Sequence, residues 1–138
     1  MKFIVACLGL MMMVSCKTIE VMQYEYKSTT MLGSRTITIT QDSVVTEYNG
    51  RMENTRTARA TSSEEWLQLK ESMKTVKLDD ISDLESPTNY RATDAAPFGS
   101  VIITTKDSSY QSASFDGFDA NEQLLPLLTV IKKISETR

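Results

Sequence analysis

The apolar residues of this chain change their spacing three times, and that alternation restricts the folds open to it. Up to Ala60 they recur every second position. From Ser62 they recur at helical spacing, between Ser100 and Phe115 they return to alternation, and beyond Leu124 they are helical again. A repeat of two marks a strand with one buried face, and a repeat near 3.6 marks an amphipathic helix. Met22 to Tyr26 alternates apolar and polar side chains. Over Ser34 to Thr40, Ile37 and Ile39 oppose Thr36, Thr38 and Thr40. Val44 to Tyr48 reads as a third strand and Met52 to Ala60 as a fourth. Asn49-Gly50 between them predicts a two-residue type I′ hairpin turn, which needs positive φ at both positions. Ser62-Ser63-Glu64-Glu65 matches a capping box, with Ser62 as N-cap and Glu65 at N3. Trp66, Leu69, Met73 and Val76 then predict a helix over about 63–77, and Leu78, Ile81 and Leu84 predict a short 3₁₀ or α turn. Residues 88–98 read as a loop, followed by strands over Ser100 to Thr105 and Tyr110 to Phe115. Leu124, Leu127, Leu128, Ile131 and Ile134 form the last helical stripe, with Pro126 tolerable only in its first turn. The order ββββ-α-ββ-α implies an α+β two-layer sandwich, an antiparallel sheet with both amphipathic helices on one face and a Thr-rich open face.

The N-terminus follows a different logic. Lys2 precedes twelve apolar or small residues, Phe3 to Val14. As a helix these span about 18 Å against a hydrocarbon core of ~30 Å, so the segment is too short for a lasting membrane span. A charged start, a short apolar run and a small residue describe a secretory signal peptide. Its end, Met13-Val14-Ser15-Cys16, resembles the lipobox of bacterial lipoproteins, with Met13 where Leu is usual. That resemblance implies a diacylglyceryl group on the Cys16 thiol and cleavage just before it. Ile4-Val5-Ala6-Cys7 fits the same pattern but leaves too short an apolar run upstream. The expected organisation is therefore a cleaved signal over 1–15, a lipidated tether over 16–21 and one α+β domain over 22–138. Lys17, where an Asp would imply inner-membrane retention in enterobacterial lipoproteins, points to the outer membrane. The layout Trp66…Pro87…Asp94…Phe115-Asp116-Gly117…Leu124 loosely resembles small lipoproteins of the Bacteroidota, a likeness that implies no activity.

Composition narrows the chemistry. The chain has no His and two Cys, Cys7 and Cys16. His-dependent triads, HExxH zinc sites and imidazole switches are excluded. With Cys7 discarded and Cys16 acylated, the mature domain has no thiol for catalysis, disulfides or metal. The 15 Lys and Arg against 18 Asp and Glu give a net charge of −3, which argues against nucleic acid as a partner. The cluster Asp79-Asp80-Ile81-Ser82-Asp83-Leu84-Glu85 lacks the glycine and ligand spacing of an EF-hand, so no metal is assigned to it. Asp94, Asp107, Asp116 and Asp119 are scattered acids compatible with ordinary turn chemistry. Gly33-Ser34 and Gly99-Ser100 lie in no Gly-x-Ser-x-Gly elbow. Arg51, Arg56 and Arg59 form a small basic stretch with Glu53 between, suited to cross-strand pairing.

These observations lead to a non-catalytic envelope protein, held to the membrane through lipid on Cys16, with no cofactor and with an envelope protein as its partner. Two further classes fit the same residues. One is a periplasmic inhibitor or accessory subunit of an envelope enzyme, and the other is a carboxylate-dependent hydrolase. The expected binding rim is the long irregular stretch, through Tyr90, Arg91, Asp94 and Phe98, together with Arg56 on the open sheet face.

Overall fold

The computed structural model describes residues 18–138. Four strands form a meander: β1 (Val21–Thr30), β2 (Gly33–Thr40), β3 (Ser43–Gly50) and β4 (Asn54–Ala60). Helix α1 (Ser63–Ser72) follows. The chain then passes through 3₁₀ turns at Met73–Thr75, Leu78–Asp83 and Tyr90–Thr93 into β5 (Phe98–Thr105). Two short strands, β6 (Ser109–Gln111) and β7 (Phe115–Asp116), and helix α2 (Leu125–Glu136) complete it. The sheet order is β4-β3-β2-β1-β5-β6, with β7 also paired to β5, and every pairing is antiparallel. This is the α+β sandwich expected from the spacing of apolar residues.

Register explains the two faces. Ile103, Tyr24, Ile39 and Val44 lie in one row across the sheet, and Val101, Tyr26 and Ile37 in the next. All seven are buried, packed with Trp66 and Leu69 of α1 and Leu127, Leu128, Ile131 and Ile134 of α2. The alternate rows form the open face, one of them running Lys27–Thr36–Glu47–Arg56. Helix α1 starts where the capping box places it. Ser62 Oγ accepts from the Glu65 N–H, and the Glu65 carboxylate accepts from the Ser62 N–H. Pro126 sits in the first turn of α2, where no N–H is missed.

Three local expectations are corrected. The Asn49-Gly50 pair does not form the hairpin tip. The Gly50 N–H donates to Glu53 O (3.0 Å), so the tip is Arg51-Met52. Gly50 instead lies against the Tyr48 ring, where an added Cβ would sit 2.6 Å from a ring carbon. Close approach, not positive φ, fixes the glycine there. Helix α1 stops at Ser72 rather than near 77, since the Ser72 hydroxyl donates to Leu69 O (2.6 Å) and the backbone tightens into a 3₁₀ turn. The predicted strand over Tyr110 to Phe115 is broken at Ser112, whose Oγ accepts from the Val101 N–H while its own N–H donates to Val101 O. One extra residue is accommodated between the β5–β6 and β5–β7 registers, as in a β-bulge.

Candidate functional site

One end of the sheet gathers exposed apolar side chains. Met31 and Leu32 form the β1–β2 turn, and Met52 lies at the β3–β4 tip, 97% exposed. The Arg51 N–H donates to Leu32 O (3.2 Å), which ties the two tips together. Phe98 pairs with Thr29 at the same end and is half exposed. Between the β1–β2 turn and the 94–98 segment lies a cleft of about 530 Å³, lined by Thr29 to Leu32 and Asp94 to Phe98. That volume lies within the range of small-ligand sites. Its walls are mostly apolar, and Asp94 is its one ionisable lining residue.

The loop beside the cleft is held by a single buried carboxylate. Asp116 accepts from Thr88 Oγ1, from the Tyr90 N–H (2.7 Å), from the Arg91 N–H (3.0 Å) and from Arg91 Nη1 (3.0 Å). Burial pushes its pKa up. The bonds from the Thr88 hydroxyl, the Arg91 N–H and guanidinium and the Tyr90 N–H outweigh that and hold it well below the usual carboxylate range. The Arg91 guanidinium also donates to Thr88 O (2.9 Å), Ser86 Oγ (3.4 Å) and Ser114 Oγ (3.2 Å). Beneath this knot the Gly117 N–H donates to Pro97 O (2.9 Å), and Gly117 O accepts from Tyr26 Oη (2.7 Å). Gly117 has φ +56°, a conformation that suits glycine. The Tyr26 ring stacks on Phe118 at 4.2 Å between centroids. The rim is thus clamped to the core rather than carried on a loose loop.

The expected rim residues divide. Asp94 and Phe98 line the cleft, and Tyr90, 61% exposed, is held next to it through its N–H on Asp116, the partner of Phe98. Asp94 closes the Tyr90–Thr93 turn with φ 56°, a left-handed conformation that Asp tolerates better than most residues. Arg91 is revised from an offered side chain to an internal one, because its guanidinium is consumed by Asp116, Thr88, Ser86 and Ser114. Arg56 lies on β4, three strands beyond β1 on the side away from Phe98, where it pairs with Glu47 (3.3 Å) on the open face. The basic stretch splits by strand parity. Arg59 turns to the helix side, donating to Glu65 (2.8 and 3.0 Å) and to Ile134 O (2.8 Å).

Leu78 and Ile81 are buried, which accounts for the acidic segment 79–85 as a turn with one apolar side. Among the described residues, no group of three or more acidic side chains is placed to hold a metal, and no helix is long and apolar enough to cross a membrane. Cys16 lies outside the described residues. Sequence reasoning missed the Met31-Leu32 and Met52 tips and the role of Asp116. The β1–β2 tip had a legible signal, two large apolar residues, Met31 and Leu32, where a turn should be polar. Compared with protein-family models, curated proteins and solved structures, the chain has no significant match to any of them.

Proposed function

We propose that this protein is a lipid-anchored component of the bacterial cell envelope that binds a partner and performs no turnover. Cys16 carries the anchor, the outer membrane is its site, and the apolar end of the sheet is its contact surface. The carrying observation is the cluster of exposed Met31, Leu32, Met52 and Phe98 beside the cleft, on a base clamped by Asp116. Large apolar side chains gathered at one end of a small domain mark an interaction site. An anchor on Cys16 would leave this surface far from the lipid. The ten residues of β1 cover about 30 Å at ~3.3 Å each, so the tether enters at one end and the apolar tips lie at the other. The tips then face away from the lipid, towards an envelope protein. With a net charge of −3, nucleic acid is a poor partner.

The test is affinity capture from solubilised envelopes with the full chain, comparing wild type with Leu32→Ser and Tyr90→Ala. Capture of the same partner should fall in both variants at an unchanged melting temperature. Multiple-turnover hydrolysis of a glycan, peptide or ester, lost on replacing one Asp or Glu, makes the carboxylate-hydrolase reading correct instead. The anchor is tested separately. Cys16→Ser should abolish lipid labelling, and an unmodified Cys16 in the intact mass of native protein overturns the lipoprotein reading.

A further inference from the structure

The sheet has two edges, and they are built differently. On the β5 side the edge is only three residues of β6, with the Leu78–Asp83 turn packed beside it. On the other side β4 runs seven residues, Asn54–Ala60, without Pro, Gly or any register shift against β3. Edges are normally blunted by such devices or by charged side chains, because they offer unpaired backbone groups, and β4 carries only the charges of Arg56 and of the inward-turned Arg59.

The pairing shows which groups are offered. The Gly50 N–H bonds Glu53 O at one end of the β3–β4 ladder, and the Thr61 N–H bonds Asp42 O at the other. Antiparallel ladders alternate, so Thr55, Thr57 and Arg59 turn their backbone groups to β3. Asn54, Arg56, Ala58 and Ala60 turn theirs outward. Ala60 O is already taken by Arg59 Nη1 (3.0 Å), and Arg59 is itself held by Glu65 and the end of α2. Among the described residues the free run is therefore Asn54 to Ala58, with three outward N–H and C=O pairs.

We propose that β4 is a strand-addition edge for an extended segment of a partner protein that places an acidic residue opposite Arg56. The open-face row Lys27–Thr36–Glu47–Arg56 ends on a cation, with Glu47 beside it. A carboxylate on the added strand continues the alternation of charge, and opposite charges across strands stabilise pairing. The neighbouring row, Ile102–Glu25–Thr38–Val45–Ala58, ends on a methyl group and takes a small apolar residue. A second copy of this chain fits worse. Two-fold antiparallel pairing through the outward groups sets Arg56 opposite or diagonal to its own copy, within ~8 Å. Backbone bonds supply affinity here and alternate side chains supply selectivity. The proposal is independent of the apolar rim, which lies at the end of the strands rather than along their edge.

Full-length protein in detergent micelles is titrated by amide NMR with the peptide acetyl-Thr-Val-Thr-Glu-Thr-Ser-Thr-amide and with its Glu-to-Lys counterpart, up to about 1 mM, the weak end of specific affinity. The acidic peptide should shift and protect the Asn54, Arg56 and Ala58 amides and bind about tenfold tighter than the basic one. Ala58→Pro removes only an outward N–H and is compatible with an edge strand, so it should abolish binding at an unchanged melting temperature. Should that variant unfold, Arg56→Glu serves in its place and should invert the preference between the two peptides. Absence of binding, equal binding of both peptides, or shifts away from β4 overturn the proposal. A concentration-dependent dimer lost in Ala58→Pro overturns it in favour of self-pairing.

Discussion

Tyr24 and Tyr26 are two residues apart on β1, both point into the core, and removing the hydroxyl should destabilise the fold at Tyr26 but not at Tyr24. Tyr26 Oη donates to Gly117 O at 2.7 Å, so Tyr26→Phe removes a bond and leaves that carbonyl without its donor. The expected loss is about 1–1.5 kcal/mol, the net value of an intramolecular hydrogen bond. Tyr24 Oη is buried and has no hydrogen-bond partner among the described residues, while its ring meets the Trp66 edge at 5.5 Å. An unsatisfied buried hydroxyl costs about 1–3 kcal/mol, so Tyr24→Phe should be neutral or stabilise by about 1 kcal/mol with the aromatic contact kept. The two variants should therefore differ by about 2 kcal/mol, which urea unfolding at equal slope reads as separated midpoints. The alkaline limb adds a second reading. Burial raises the Tyr24 pKa to about 12, against ~10 in the unfolded chain. The native state then keeps a proton that the unfolded state sheds. The contribution is complete below pH ~10 and is lost as pH rises towards about 12, so Tyr24→Phe should flatten the decline across that window. Equal destabilisation by both substitutions, with unchanged alkaline slopes, refutes the assignment of the two hydroxyls.

Other expectations follow from the core and from the clamp. Leu128 is buried between the helices and the sheet, so Leu128→Ala should cost about 2–5 kcal/mol in denaturant unfolding. Asp116→Asn should accelerate hydrogen exchange at the Tyr90 and Arg91 amides. The Asp116 contribution is present above the unfolded carboxylate value of ~3.9 and is lost as pH falls towards the depressed native value, so the variant should show a flatter acid limb below pH ~4. In Gly99→Ala the new Cβ would come 2.2 Å from Gly117 O, and displacing that turn should lower the melting temperature and cost about 1–3 kcal/mol.

The sandwich was legible because its signals are local. Ile37 and Ile39 against their threonines, the Ser62–Glu65 box and the Leu124–Ile134 stripe each state a period or a cap without reference to anything distant. What was illegible depends on contacts far apart in the chain. Gly50 reads as a turn residue until the Tyr48 ring is seen lying on it. Ser112 reads as a strand residue until its hydroxyl replaces a ladder bond to Val101. Asp116, beside a glycine, reads as turn chemistry, yet its partners at Thr88, Tyr90 and Arg91 precede it by some twenty-five residues. Of the expected rim, Tyr90, Asp94 and Phe98 share one end of the sheet. Arg91 lies inside the clamp, because composition reveals exposure in a loop but not which guanidinium is already bonded, and Arg56 lies on the open face as expected but away from this end.

The placement of β1 between β2 and β5 sets an order on folding. Growing from its N-terminus, the chain can close the β1–β4 meander through neighbouring pairings alone. The second side of β1, where Tyr24 pairs with Ile103 and Tyr26 with Val101, stays open until the last third of the chain has been made. Loop closure over that separation is the expected slow event, and until it happens β1 presents an unpaired central edge with its apolar face uncovered. A chain halted before Phe98 thus carries two long edges and no lid of α2, a species fit for chaperone capture or aggregation. Substitutions in β5 and α2 should govern how much protein survives to maturity, whereas those in β3 and β4 should act mainly on the finished fold.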